Sequence, residues 1–122
     1  MSTLKADTIQ STGGGAATLT KQSAAKAWVH ADGTSSGAAA QDSFNVSGMT
    51  DNGTGDYTTS FSSSMDNDNF SAVNSGGDGS DGVRACGART YATGSFRTYV
   101  RNTANTNADA AHYNLSVNGD LA

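Results

Sequence analysis

Apolar residues in this chain recur at every second position, in short runs divided by glycine, asparagine, aspartate and serine. Phe44, Val46 and Gly48 alternate with Ser43, Asn45 and Ser47, and Tyr57, Thr59 and Phe61 continue the alternation beyond Asn52-Gly53. A period of two marks a half-buried strand, and Asn-Gly tolerates the positive φ of a tight turn, so residues 42–61 predict a β-hairpin. A turn centred on Asn52-Gly53 sets Phe44 against Phe61, Val46 against Thr59 and Gly48 against Tyr57, with the Tyr57 ring covering the bare backbone of Gly48. A longer loop, Asp51 to Asp56, slides the pairing by one step per strand and keeps the same face inward. The register stays open between the two. In either, Phe44, Val46, Tyr57 and Phe61 are expected core residues.

The same pattern continues downstream. Phe70 to Asn74, Val83 to Thr93, Phe96 to Asn102 and Tyr113 to Val117 read as strands, with Gly94-Ser95 as a tight turn. Within Phe96–Asn102, Phe96, Thr98 and Val100 share one face, and Arg97, Tyr99 and Arg101 share the other. Ser75 to Gly82 reads as a flexible loop, Thr103 to Ala111 as a polar connection, and Asn118-Gly119 as a final turn. Upstream, Ser2–Gln10 and Ala16–Thr20 predict brief strands around the breaking run Gly13-Gly14-Gly15, and Ser23–His30 is ambiguous between helix and strand. About six or seven short strands at regular spacing predict an all-β fold, a small antiparallel β-sandwich. Residues 1–27 are expected to form an extended N-terminal arm that docks and oligomerises, with Leu4, Ile9, Leu19 and the neighbouring Trp28 as its apolar anchors; residues 28–122 are the β-sandwich head.

Composition sharpens this picture. All 11 acidic residues are Asp, and there is no Glu and no Pro against 15 Gly, a bias toward turns and away from helices. Leu, Ile, Val and Phe are scarce for a folded domain, so the chain is expected to be a homo-oligomer, with neighbouring copies burying what one copy cannot. Eight Asp and no Lys or Arg lie between Trp28 and Val83, whereas Arg84, Arg89, Arg97 and Arg101 cluster after them. Arginines bridging to neighbouring aspartates explain this more simply than a head-to-tail attraction between subunits. A net charge of −4 and a pI near 4.7 argue against nucleic-acid binding. The opening Met1–Lys5 has no secretory apolar region, and no run approaches membrane length, so no signal peptide and no membrane insertion are expected. The lone Cys86 excludes an internal disulfide and reads as a small buried apolar residue.

Candidate chemistry is sparse. Asp66–Asn69 and Asp78–Asp81 are oxygen-rich, but the Ca²⁺ loop they suggest ends in a bidentate Glu that this chain lacks, so solvated turns are expected and no metal. His30 and His112 are far apart, and no Ser/His/Asp spacing suggests a triad. The Gly13-Gly14-Gly15 run lacks the Gly-Lys-Ser/Thr ending of a phosphate loop. No catalytic residue, no cofactor and no enzyme activity are therefore expected. Tyr91, Arg97, Tyr99 and Arg101 are the candidate ligand contacts: rings stack on sugar faces and guanidinium groups pair with hydroxyls. The competing reading is cross-strand packing with an arginine draped over a tyrosine.

Two stretches carry a family likeness. Residues 1–14, from Met1 through Leu4 and Ile9 to Gly14, followed by Lys26-Ala27-Trp28-Val29, resemble the opening of short fibre-type virion structural proteins of marine and cyanobacterial tailed phages. Asp42–Ser47 and Asp51–Thr58 resemble the start of the β-rich head domain in the same group. The likeness covers roughly the first half of the chain. It departs at His30-Ala31-Asp32-Gly33, where that group is more apolar. It implies a tail-fibre-like virion component, trimeric, with the arm docked on other virion proteins and the head facing a host-surface glycan. A capsid decoration or head-fibre protein is the nearest alternative, and a free carbohydrate-binding module is the alternative from another class.

Overall fold

The computed structural model describes residues 3, 5, 9–14, 24–35 and 37–122. Eight strands make up the fold: β1 (Ala27–Asp32), β2 (Ala39–Phe44), β3 (Val46–Gly53), β4 (Asp56–Phe61), β5 (Ser71–Gly77), β6 (Val83–Ala92), β7 (Ser95–Arg101) and β8 (His112–Asn118). They form one antiparallel sheet in the order β2-β1-β8-β5-β6-β7-β4-β3, nearly closed into a barrel, with no helix among the described residues. The strand count is thus one or two higher than expected, and the sheet is continuous where the sequence suggested a two-sheet sandwich. The additions are β1, where alternation of buried Ala27, Val29 and Ala31 with outward Trp28 and His30 decides the helix-or-strand ambiguity, and the division of the expected strand through Phe44 and Val46 into β2 and β3. The continuity is thin at one seam: β5 and β6 share only the pairs Gly76–Arg84 and Gly77–Val83.

The two ends of the sheet meet at a single residue. β2 and β3 are divided only by Asn45, whose φ of 54° lies in the left-handed region that asparagine tolerates better than most residues. Its Nδ2 donates to the carbonyls of Lys26 and Ser63, both at 3.0 Å, and its Oδ1 accepts from the Ser63 amide at 2.7 Å. This corner turns a continuous strand from one edge of the sheet to the other. It also reverses the face pattern, which corrects the expected core: Phe44 lies before the corner, pairs with Trp28 rather than Phe61, and is 45% exposed.

The hairpin itself is β3–β4, joined through Thr54-Gly55 rather than Asn52-Gly53. Val46 pairs with Phe61, as the longer-loop register requires, but irregularities near Ser47 and Asn52 then shift the ladder so that Met49 opposes Thr59 and Asp51 opposes Tyr57. Each extra residue moves the inward set by one position. Tyr57, Thr59 and Phe61 are buried, and Val46 packs against the core. No described residue lies over Gly48; the Tyr57 ring covers Gly33 instead. The Phe96, Thr98 and Val100 face is buried as the alternation predicts, as are Tyr113, Leu115 and Val117. β5 runs on to Gly77, past the expected end at Asn74, because Gly76 lets the strand pack close to Cys86 and Ala110. The tight turn after β6 is Thr93-Gly94, one residue earlier than read.

One end of the barrel is plugged by rings: Phe70 lies 5.0 Å from Tyr91 and 5.8 Å from Phe61, and Tyr91 lies 5.0 Å from Phe96. The other end is closed by the 102–111 connection, tied down through Tyr57. The Tyr57 hydroxyl donates to a site shared by Gly33 O (3.2 Å) and Asp109 Oδ1 (3.1 Å), and accepts from the Ala110 amide at 3.1 Å. Burial pushes the Tyr57 hydroxyl well above the ordinary tyrosine range, so it remains a donor at any physiological pH. Between the plugs the interior is partly polar, since Asn74 donates to Thr98 at 2.5 Å and Thr98 donates to the Gly87 carbonyl at 2.8 Å. Cys86 packs beside this cluster, and burial pushes its thiol up to about 11, away from the thiolate form.

Of the N-terminal segment, Thr3, Lys5 and residues 9–14 are all exposed, Ile9 by 51%. Leu4, Leu19 and the expected strand Ala16–Thr20 lie outside the described residues. Trp28, grouped by its sequence neighbourhood with the arm, belongs to β1 of the barrel.

Candidate functional site

The barrel presents two outer faces of different character. The first is carried by β3, β4, β7 and β6, and it gathers three of the four candidate ligand contacts. Arg97, Tyr99 and Arg101 project together from β7, where alternation turns Phe96, Thr98 and Val100 inward. Tyr91 does not join them. A bulge at Arg89 shifts the β6 register, so Tyr91 opposes Phe96 and belongs to the ring plug.

Most polar groups on this face pair with one another, although Arg101 Nε is buried with no hydrogen-bond partner among the described residues. Arg97 grips Asp56 with two hydrogen bonds, Nε to Oδ1 and Nη2 to Oδ2, both 2.8 Å. Arg89 approaches the same carboxylate at 3.4 Å, and Asn52 bridges Asp56 to Thr58. Tyr99 lies against Gly87, where a Cβ would collide with its ring, and the Arg101 guanidinium stacks over Tyr99 at 4.9 Å. Arg101 Nη1 is further held by Asn105 at 2.9 Å. This is a draped, internally paired surface, with its aromatic ring already covered by a cation.

The Arg97 hydrogen bonds, outweighing the opposing effect of burial, hold the Asp56 carboxyl below the usual carboxylate range, with the nearby Arg89 charge acting in the same direction. A group depressed in the folded state contributes stability that is present above its unfolded pKa of about 3.9 and is lost as pH falls through the lower folded value. Acid titration of unfolding should therefore show the wild-type chain losing this contribution below about pH 4. Asp56→Asn should have a flatter acid limb and lower stability at neutral pH, and an unchanged acid limb would show that the pair contributes nothing.

The second face lies on β2, β1, β8 and β5. Pairing places Phe44, Trp28, Ser116 and Val73 in one row across the four strands, and Asp42, His30, Asn114 and Ser75 in the row beside it. Opposed residues share a face, and these point outward because Val29, Leu115 and Val117 point in. Phe44, Trp28 and Val73 are 45%, 36% and 66% exposed. Trp28 and Val73 border a shallow groove of about 440 Å³ whose lining includes His30, Ser75, Asn114 and Ser116, and Phe44 stands beside Trp28 outside that lining. The His30 ring stacks on His112 with centroids 5.8 Å apart, and that contact orients the imidazole beside the groove. The side chains of His30, Ser75, Asn114 and Ser116 make no hydrogen bond to other described residues. The only charged residues in the two rows and at the adjoining end of β1 are the acids Asp42 and Asp32, the latter held below the usual range chiefly by its Thr34 hydrogen bonds.

No family model, curated protein or solved structure matches this chain. The arrangement must speak through its own chemistry. On neither face does a serine hydroxyl hydrogen-bond to a histidine. Among the described residues no three His, Cys or Asp side chains are grouped to hold a metal. In the Asp78–Asp81 turn, Asp78 Oδ1 accepts from the amides of Ser80 and Gly82 and from the Ser80 hydroxyl, so that carboxylate is engaged by its own loop.

Sequence reasoning chose the arginine face because Arg97, Tyr99 and Arg101 are adjacent in the chain. It missed the groove because Trp28, Val73 and Asn114 become neighbours only through the order β1-β8-β5. The one local signal was the outward alternation of Trp28 and His30 against buried Ala27, Val29 and Ala31.

Proposed function

We propose that this protein is a tail-fibre-like structural component of a tailed-phage particle, acting by assembly and by contact with the host surface rather than by catalysis. In this reading it is a homo-oligomer, a trimer, whose N-terminal arm docks on other virion proteins and whose barrel faces outward. The observation that carries it is the division of the chain. Residues from Lys26 onward pack into the barrel, while Thr3, Lys5 and residues 9–14 of the arm, Ile9 included, are exposed. An apolar side chain left in water on a chain so poor in large apolar residues points to burial by a partner. The sequence likeness to short phage fibre proteins supports the same assignment.

Deleting Met1 to Gly15 tests it. The truncated chain should keep its β-sheet circular dichroism and cooperative unfolding, yet fall to a smaller species by light scattering and fail to enter particles. Incorporation at the wild-type level would remove the arm from the assignment. Copy number separates the neighbouring alternative: a capsid decoration or head-fibre protein follows capsid symmetry, whereas a tail fibre is present in a few trimers. The groove at Trp28 favours one further reading, a free carbohydrate-binding module, which would act as a monomer without any particle.

A further inference from the structure

We infer that the Trp28 groove, rather than the arginine face, is a binding site for a neutral oligosaccharide. This deepens the proposed host contact and rests on the barrel being the outward-facing part of the molecule. It does not depend on how the arm docks.

Three observations carry it. The first is the pattern of the face. An apolar row, Phe44, Trp28 and Val73 interrupted by Ser116, runs beside a polar row, Asp42, His30, Asn114 and Ser75. With strands about 4.8 Å apart, each row spans about 14 Å, long enough for a short oligosaccharide. A pyranose has the matching amphipathy, with C–H groups on its flat faces and hydroxyls around its rim. Seated on Trp28, it would lay C–H groups on the indole and turn hydroxyls toward Asn114, His30 and Asp42.

The second is hydrogen-bonding capacity. His30, Ser75, Asn114 and Ser116 offer imidazole, amide and hydroxyl groups with no hydrogen bond to other described residues. On the opposite face Arg97, Asp56 and Asn52 are already paired, and Arg101 is held through Nη1 by Asn105. This difference also decides against a second copy of the chain as occupant. An apolar subunit surface laid over these four side chains would strip their water and return no partner, at a cost for each group. Sugar hydroxyls replace that water directly.

The third is charge. Asp42 stands in the polar row, and neither row holds a Lys or Arg that could pair with an anionic ligand. Acidic sugars and phosphates are disfavoured, and the ligand class is neutral.

The test uses an internal reporter, because Trp28 is the only tryptophan in the chain. Its emission in the full-length protein is titrated with cellotetraose and with chitotetraose, and in parallel with tetragalacturonate. A saturable blue shift with at least one neutral tetramer and none with the acidic one is expected. Asn114→Ala should weaken binding several-fold in the same assay. Trp28→Ala, followed by calorimetry, should weaken it at least about tenfold, while Tyr99→Ala on the other face should leave it unchanged. A flat titration with both neutral probes up to about 10 mM overturns the inference. So does equal weakening by Tyr99→Ala and Asn114→Ala. A blue shift that depends on protein concentration without sugar also overturns it and assigns the face to a second copy. The assembly reading fails separately: a flat titration beside a loss of assembly on arm deletion removes only the sugar site. Saturable binding by a chain that assembles regardless of its arm removes only the anchor.

Discussion

Replacing Tyr57 by alanine is expected to bring the barrel to the edge of unfolding at room temperature. The ring is fully buried, lies 5.6 Å from Tyr113, and fills the space that Gly33 leaves open. Truncating a buried aromatic side chain to alanine costs about 3–5 kcal/mol, and part of that persists as a cavity because the backbone around Gly33 cannot collapse into it freely. The hydroxyl adds a separate loss. Without it the Ala110 amide has no acceptor, and the Gly33 carbonyl and Asp109 lose the one donor they share, so the 102–111 connection is no longer tied to the barrel through this residue. Whole-domain stabilities are about 5–15 kcal/mol, so the combined effect consumes a large share of the total. Tyr57→Phe separates the two parts: it keeps the ring and should cost only about 1–3 kcal/mol, the penalty for a buried group left unpaired. Urea unfolding of the three proteins measures both differences. If Tyr57→Phe is as stable as wild type, the hydroxyl does not hold the connection in place.

The second large effect is expected at Asn45. Asn45→Ala removes the hydrogen bonds to Lys26 O, Ser63 O and the Ser63 amide, each contributing about 0.5–1.5 kcal/mol net. It also forces an alanine into the left-handed region, at a further cost of about 1–2 kcal/mol. A loss of about 3–5 kcal/mol follows, and for a domain of this size each kcal/mol lowers Tm by roughly 4–8 °C. Asn45→Gly accepts the backbone angle but cannot make the bonds, so it should fall between wild type and Asn45→Ala. Thermal unfolding monitored by circular dichroism ranks the three. Equal midpoints for Ala and Gly would mean that the backbone angle carries no strain.

These two residues also show how far the sequence could be read. Tyr57 was legible as core because its neighbours Thr59 and Phe61 share its period, and the same local rule found the buried faces of β7 and β8. The hydroxyl's role was not legible, since Gly33, Asp109 and Ala110 meet Tyr57 only when both ends of the chain fold over the barrel. Asn45 read as an ordinary polar strand position. Its left-handed backbone is a tertiary choice, stabilised by Lys26 and Ser63, and it carried Phe44 out of the expected core. The bulge at Arg89 did the same for Tyr91 among the candidate contacts: one inserted residue inverts every face downstream, and periodicity has no means of signalling it. The groove was hidden for a different reason. Its rows depend on β8 lying between β1 and β5, an order that local pattern does not contain.

That strand order has a mechanical consequence. β1 carries Trp28 on its outer surface and is also the strand that continues back toward the N-terminal segment. A pull between the groove and that segment would run along β1, in the plane of the sheet and perpendicular to its hydrogen bonds to β2 and β8. Loaded this way the bonds resist in shear, many at once, instead of peeling one after another. The weakly paired β5–β6 seam lies beyond β8 and off this line of force. The barrel thus resists a load along β1 better than a load that opens the β5–β6 seam.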